Sequence, residues 1–389
     1  MFSVKQRFRV LIGLVTISGF SQGMLLPLLA VILEQNGVSS SLNGIHATGL
    51  YIGILLASPF IEKPLRSLGF KPIIMVGGLL VVTSLFLFPF WQSLWFWFAL
   101  RVAIGIGDQI LHFGTQTWIT TTADKGNRGR SIAYYGLFFS LGFTLGPLMT
   151  NLLSVSTYFP FLLASFLSLG VWLFMLKVGN EFPEEDYASA HGSSSFARFL
   201  KAAAIAWPAF LGPLCYGFLE ASLHGIFPVY GLRIGHDVQT VSFIIPAFAA
   251  ASLLSQIPLG RWSDSIGRPR VIRYALAGGT AAFLIASFYE SSATVLFLCF
   301  AFAGLCVGSL FSLGISYMTD LLPRELLPAG NILCGMSFSI GSILGPFLSG
   351  IVLDILPGLS LFFLIVGLLV FIFLVFFFKK DVSVTQDPV

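Results

Sequence analysis

Three ionisable residues, Arg101, Asp108 and His112, interrupt an otherwise apolar run between positions 95 and 121. At 3.6 residues per turn, Arg101, Gly105, Asp108, His112 and Thr115 fall within roughly 40° of one line along a helix. A second set, Tyr216, Glu220 and His224, recurs at i, i+4 and i+8 between 203 and 231. Carboxyl and imidazole groups at such spacing bind and pass protons, and an arginine holds a carboxylate ionised or binds an anionic substrate. The structural alternative is an ion pair, Arg101 with Asp108 or with Glu220, that closes one conformation. Choosing between these requires knowing what surrounds the stripes.

Composition sets the surroundings. The 389 residues are 56% hydrophobic and only 10% charged, with a mean hydropathy of +0.90. A soluble domain carries about 25% charged residues, so most of this surface is not built for water. Twelve apolar segments reach the roughly 20 residues needed to span a bilayer. They lie near 9–33, 42–61, 72–90, 95–121, 131–153, 158–178, 203–231, 237–258, 271–289, 293–319, 328–352 and 358–378. Lys5, Arg7 and Arg9 precede a run of spanning length with no small-residue cleavage pattern, so the first segment is expected to remain as a helix. Charge at mid-bilayer costs roughly 2.5–3.5 kcal/mol on insertion scales, so both stripes are expected to turn inward.

Of the 21 Lys and Arg residues, 19 fall in the termini and alternate connections on one side, leaving Arg233 opposite and Arg101 within a span. The positive-inside rule then puts both termini in the cytoplasm, with the chain in the cytoplasmic membrane. The +4 net charge is an orientation signal, and no loop forms a nucleic-acid reader. Cys215, Cys299, Cys306 and Cys334 fall inside spans without metal-type spacing and read as small buried apolar residues.

The one long polar stretch, VGNEFPEEDYASAHGSSSF at 178–196, reads as a flexible connector. The expected organisation is a six-helix bundle at 1–178, a linker at 179–202, a second bundle at 203–378 and a tail at 379–389. Features recur across the linker at near-constant offset: Pro27 with Pro228, RSLGFK (66–71) with DSIGRP (264–269), Asp124 with Asp320, and GFTLGP (142–147) with GSILGP (341–346). Two six-helix halves in parallel repeat account for this.

On these residues the chain resembles the major facilitator superfamily along essentially its whole length. LGRWSDSIGRPR (259–270) matches that family's loop signature, Gly-x-x-x-Asp-x-x-Gly-Arg, through Gly260, Asp264, Gly267 and Arg268. RVAIGIG (101–107) is similar to the fourth-helix pattern, and GFTLGP resembles the fifth-helix pattern associated with antiporters. The layout is also similar to a YcaD-like bacterial branch. The first half departs from the signature, with Glu62 at the glycine position and Arg66 at the aspartate position, and Leu148–Asn151 replace the trailing Gly-Gly of the fifth-helix pattern. No Gly-Lys pair and no His-Glu-x-x-His occurs, which disfavours nucleotide hydrolysis and zinc hydrolase chemistry.

The resemblance implies an all-α integral membrane fold of two six-helix pseudo-repeats around a central cavity lined by the first, fourth, seventh and tenth spans. Both stripes would then face that cavity, with Gln22, Thr115, Tyr216, Ser309, Ser312 and Ser316 adding neutral polarity. A carboxyl alternately wetted and dried changes its proton affinity, so Asp108 and Glu220 are expected to carry protons or bind a cationic substrate, relayed by His112 and His224. Asp264, Arg268, Asp320 and Arg324 are expected to form a cytoplasmic charge latch, as the family's signature does. Gly142 and Gly146, with Gly136, and Gly341 and Gly345, with Gly335 and Gly350, are expected to admit close backbones, with Pro147 and Pro346 bending their helices. The expected protein is a monomeric, proton-coupled transporter of a small organic molecule, with export favoured and no cofactor or metal. A uniporter, a membrane sensor and an intramembrane enzyme are the alternatives.

Overall fold

The computed structural model describes residues 3–122, 128–183 and 195–378. Among these every regular element is helical, as long apolar segments demand when backbone groups must be satisfied without water. In chain order the helices are α1 (Val4–Gln35), α2 (Ser40–Ala57), α3 (Glu62–Leu68), α4 (Phe70–Leu87), α5 (Leu94–Thr122), α6 (Arg128–Leu145) and α7 (Phe159–Phe174). They continue with α8 (Ser195–Gly225), α9 (Phe227–Arg233), α10 (Val238–Ile266), α11 (Arg268–Phe288), α12 (Ala293–Val307), α13 (Leu310–Leu321), α14 (Leu327–Ile355) and α15 (Leu361–Phe378). Eleven described segments are long and apolar enough to cross a membrane, and α2 with α3, bent by 58°, makes a twelfth. The twelve expected spans are thus present.

Their interiors are less regular than apolar length suggests, and prolines and glycines account for the breaks. Pro147 follows the end of α6, after which the chain tightens into a 3₁₀ helix, Gly146–Ser154. The expected seventh span divides at Ile226, just before Pro228 in the first turn of α9, because proline offers no N–H to a continuing helix. Its first-half counterpart Pro27 lies inside the unbroken α1, and Pro346 lies inside the unbroken α14. The tenth span divides at Gly308 and Ser309.

Contacts divide the chain into two units, one of residues 1–38 and 45–190, the other of 39–44 and 191–389. In the first, α1 packs on α6 and α7, and α4 on α5 and α7. Its apolar core is in two parts. One gathers Leu25, Leu29, Phe88, Trp97 and Ile104, the other Leu11, Leu14, Phe70, Leu111 and Trp118. In the second unit α8 packs on α13 and α14, α10 on α12, and α11 on α12 and α15, around one continuous core that includes Phe227, Phe283, Phe300 and Phe362.

Glycines set the closest approaches. A Cβ at Gly142 would lie 2.0 Å from the carbonyl oxygen of Thr16 on α1, and one at Gly146 would lie 2.4 Å from the Met24 nitrogen. In the second unit a Cβ at Gly341 would lie 2.0 Å from the Leu214 carbonyl oxygen, and at Gly345 2.5 Å from that of Phe218. The expected packing role does not extend to Gly136 and Gly335, where a Cβ would meet nothing within 4 Å.

The linker is shorter than its composition suggests. Residues 195–202 already belong to α8, which kinks at Ala206 ahead of Pro208. Asn180 and Glu181 are tied to the first unit: the Phe70 N–H donates to the Glu181 carbonyl at 2.9 Å, and Asn180 Oδ1 accepts from the Lys71 N–H at 3.0 Å. The rest of the connector, 184–194, and the tail at 379–389 lie outside the described residues, as does Asp124.

Candidate functional site

Asp108 and His112 are one helical turn apart on α5, and both point at α1. Asp108 is fully buried; its Oδ1 accepts a 2.5 Å hydrogen bond from the Ser18 hydroxyl. The Ser18 oxygen lies 3.0 Å from His112 Nε2, and His112 Nδ1 lies 2.5 Å from the Tyr135 hydroxyl on α6. Gln22, one turn beyond Ser18 on α1, places its amide nitrogen 3.4 Å from both Ser18 Oγ and His112 Nε2. The layer sits between the two parts of the first unit's core, whose buried members on α1 and α5 stop at Leu14 and Leu111 on one side and begin at Met24 and Ile104 on the other.

The donor inventory gives this chain a direction. Ser18 has one proton and directs it at Asp108, so its oxygen accepts from His112 Nε2–H. That tautomer leaves Nδ1 to accept from Tyr135. Donation therefore runs from Tyr135 to His112 to Ser18 and ends on Asp108. A proton placed on Asp108 Oδ1 reverses the sense at each link and moves the imidazole proton to Nδ1, whereas one placed on Oδ2 leaves the chain as it stands. The carboxyl's second oxygen, Oδ2, has no hydrogen-bond partner among the described residues.

Arg101 takes no part in this. It lies two turns from Asp108, about 10 Å along the axis at 1.5 Å per residue, and the ion pair with Asp108 that the structural alternative offered is not made. Instead its fully buried guanidinium donates from Nη1 to His46 Nδ1 on α2 at 3.0 Å. His46 Nε2 in turn donates to the Leu94 carbonyl at 3.1 Å, so the ring is the neutral Nε2–H tautomer. Arg101 Nε and Nη2 have no partner among the described residues. Two other stripe members face neighbours rather than water. Thr115 hydrogen-bonds back to the Leu111 carbonyl at 2.7 Å, and Gly105 admits the backbone of Leu50. The expected water-facing stripe is, in this structure, a buried polar layer held by α1, α2 and α6.

In the second unit, Glu220 and His224 lie on α8. His224 is buried and its Nδ1 donates to the Glu220 carbonyl at 2.8 Å, which fixes the ring along its own helix. Tyr216 stands one turn before Glu220 on α8 and lies among Phe311 and Phe338, with ring centroids 6.5 and 6.2 Å away. The serines expected beside them are engaged elsewhere. Ser309 Oγ meets Ser255 Oγ of α10 at 3.4 Å, and Ser312 donates to the Ser309 carbonyl at 3.1 Å. Ser316 is half-buried on the same helix.

The loop signature builds a compact charge cluster. Gly267, with φ +94°, caps α10 and turns the chain into α11, a conformation that favours glycine. Arg268 then pairs with Asp264, meets Asp320 at the end of α13 at 3.3 Å, and donates to the Ser263 hydroxyl and, at 3.4 Å, to the Gly260 carbonyl. A guanidinium's several donors serve such a hub. The side chain of Arg324 lies outside the described residues.

The corresponding end of the first unit has another hub. Glu62 and Arg66 pair with each other at 2.5 Å on the exposed α3. The central group is Glu181, whose carboxylate pairs with Arg7 of α1 and accepts from the Trp118 indole of α5 at 2.8 Å. The Arg7 guanidinium lies 5.1 Å from the Trp118 ring centroid, and Phe70 stacks on the same indole at 5.2 Å and 10°. Sequence reading missed Ser18, His46, Tyr135 and Glu181. Ser18 and Gln22 share a helical face, which is a local signal; the others carry none.

The chain belongs to the Major Facilitator Superfamily, whose model matches residues 11–245 and again 209–388. It is thus a membrane transporter of the secondary type and not an enzyme. Among relatives, it is 52% identical over 358 residues to the uncharacterized MFS-type transporter YfkF of Bacillus subtilis (strain 168), covering 92% of this chain and 91% of that one. It is 23% identical over 362 residues to the uncharacterized MFS-type transporter YcaD of Shigella flexneri, again covering 92% and 91%. Of solved structures, the nucleoside transporter NupG superposes with a TM-score of 0.78 at 15% identity, covering 96% of this chain and all of that one. A bacterial homolog of the human lysosomal transporter Spinster, in an inward-facing and unoccupied conformation, gives 0.76 at 17% identity, covering 92% and 84%.

Proposed function

We propose that this transporter is proton-coupled and moves a small organic molecule across the cytoplasmic membrane by alternating access, with export the favoured direction. The observation that carries the reading is the directed hydrogen-bond chain from Tyr135 through His112 and Ser18 to the buried Asp108. A chain whose donors can reverse in concert, as these do when the proton sits on Asp108 Oδ1, is suited to loading and releasing a proton. Glu220, with Tyr216, is the second carboxyl assigned to coupling or substrate, and His224 its neighbour. Arg101 is assigned to holding α5 against α2 through His46, with its remaining donors available to an anionic group.

Both termini are assigned to the cytoplasm from the 19 of 21 basic residues on one side. The Arg268–Asp264–Asp320 cluster then sits at the cytoplasmic end of its unit and serves as a brace for the inward face. The likeness of GFTLGP (142–147) to the antiporter pattern supports export.

The test has two stages. Purified protein is screened for compounds that raise its melting temperature, since selective binding to the native state stabilises it. Compounds found are then offered to proteoliposomes with and without an imposed pH gradient. Proton coupling predicts accumulation that follows the gradient and collapses with a protonophore. Equilibration indifferent to the gradient would overturn coupling and leave a uniporter.

A further inference from the structure

A groove of about 1030 Å³ opens between α1, α6 and α7 on the first unit, apart from the polar layer and from both charge hubs. Its walls are apolar, including Phe20, Phe138 and Leu141, while Lys5, Arg9 and Arg130 gather at one end and no carboxylate lines it. Lys5 and Arg9 are i, i+4 neighbours on one face of α1, and both are exposed. Among the described residues neither forms an ion pair. Arg130, at the start of α6, rests its guanidinium 5.5 Å from the Tyr134 ring centroid and donates to that hydroxyl at 3.2 Å. Arg7 makes the contrast: it belongs to the same basic cluster, yet it turns to the opposite face and is neutralised by Glu181.

The groove's length argues for its occupant. From Lys5 to Phe20 along α1 is fifteen residues, about 22 Å at 1.5 Å per residue. One leaflet's hydrocarbon is roughly 15 Å thick. The cavity therefore runs from headgroup level through a leaflet, with its cations at the headgroup end. Exposed apolar side chains along it, such as Leu141, Leu145 and Leu167, suit acyl chains. A soluble anion matches only the basic end, and a zwitterionic lipid brings its own ammonium to an end that already gathers three cations.

We propose that this groove is a binding site for one anionic phospholipid, its phosphate held by Lys5, Arg9 and Arg130 and an acyl chain laid between α1 and α6. Under the orientation proposed above, the lipid comes from the cytoplasmic leaflet. Occupancy would fasten the start of α1 to the start of α6, the two helices that carry Ser18 and Tyr135.

The full-length protein is reconstituted in nanodiscs of equal phosphatidylglycerol and phosphatidylcholine, released, and examined by native mass spectrometry. The expected result is one phosphatidylglycerol retained in preference to phosphatidylcholine. Each cation near an anionic surface is worth roughly fivefold, so Lys5→Gln/Arg9→Gln/Arg130→Gln is expected to lower retention on the order of a hundredfold. Lys63→Gln/Arg261→Gln/Arg270→Gln, which removes equal charge elsewhere, is expected to retain the lipid. Leu141→Trp, which fills the groove while keeping every charge, is expected to lose it. Equal retention in wild type and the groove triple variant, retention by Leu141→Trp, or displacement of the lipid by soluble glycerol phosphate at matched concentration would each overturn the proposal.

Discussion

The two halves share a scaffold but solve two local problems differently. Helix ends on the first half are gathered by an acid, Glu181, acting on Arg7 and Trp118; on the second half they are gathered by a base, Arg268, acting on Asp264 and Asp320. The first half's core is split by a polar layer holding Asp108, whereas the second half's core is continuous and has Cys306 at the repeat-related position. By contrast, the close backbone approaches at Gly142 and Gly341 are nearly identical, each leaving a would-be Cβ 2.0 Å from a carbonyl oxygen. Duplicated features are those that pack helices. The ionisable groups inside the spans, Arg101, Asp108 and His112 in one half and Glu220 and His224 in the other, are not duplicated, and these mark where the halves do different work.

The sharpest way to break this comparison is at the shared glycines. Gly142→Val and Gly341→Val are both expected to cost about 3 kcal/mol or more, because backbone cannot yield as a flexible side chain does. Gly136→Ala, on an open helix face, is expected to be neutral or to gain up to about 1 kcal/mol in helix propensity. Thermal unfolding in detergent, with yield of monodisperse protein, checks all three. A tolerated Gly142→Val beside a damaging Gly341→Val would mean the halves do not share their packing.

Next come the two hubs. Glu181→Ala leaves the largely buried Arg7 without its carboxylate and the Trp118 N–H without an acceptor. We expect a loss of about 2–4 kcal/mol in stability. Arg66→Gln removes an exposed i, i+4 pair with Glu62, of a kind worth about 0.3–0.5 kcal/mol. Asp264→Asn is expected to impair transport more than Arg66→Gln, because Arg268 then keeps Asp320 as its one carboxylate partner among the described residues. Rates at matched surface expression decide it; equal impairment would remove the asymmetry between the loops.

A smaller effect is expected from Tyr135→Phe, which deletes the first donor of the chain and leaves Asp108, Ser18 and His112 in place. One neutral hydrogen bond is worth about 1 kcal/mol, so the pH-driven rate is expected to fall roughly fivefold. Exchange without a pH gradient is expected to stay near wild type. An equal fall in both would make Tyr135 a packing residue only.

How much of this was legible in the sequence follows from the range of each interaction. Spans, repeats and the register of Asp108 with His112 and of Glu220 with His224 are properties of one helix and are read from periodicity. So is the Arg268–Asp264 pair, one turn apart. Ser18 and Asp108, by contrast, are 90 residues apart, Arg101 and His46 are 55 apart, and Arg7 and Glu181 are 174 apart. No spacing rule joins them; only helix packing does. From the sequence Arg101 reads as holding a carboxylate ionised or binding an anionic substrate, yet two helical turns separate it from Asp108 and α2 supplies His46 at contact distance. Glu181 read as linker because its neighbours are acidic and polar, although its partners Arg7 and Trp118 fix it to the bundle.

The central claim is that Asp108 carries the coupling proton, and Asp108→Asn tests it most directly because the amide keeps size and hydrogen bonding while removing the titratable charge. The measurement is transport in proteoliposomes of a compound identified by thermal shift, comparing uphill accumulation under an imposed pH gradient with exchange in its absence. The account predicts that Asp108→Asn loses accumulation, keeps exchange, and unfolds within a few degrees of wild type. Wild-type accumulation by Asp108→Asn under the same gradient would contradict it.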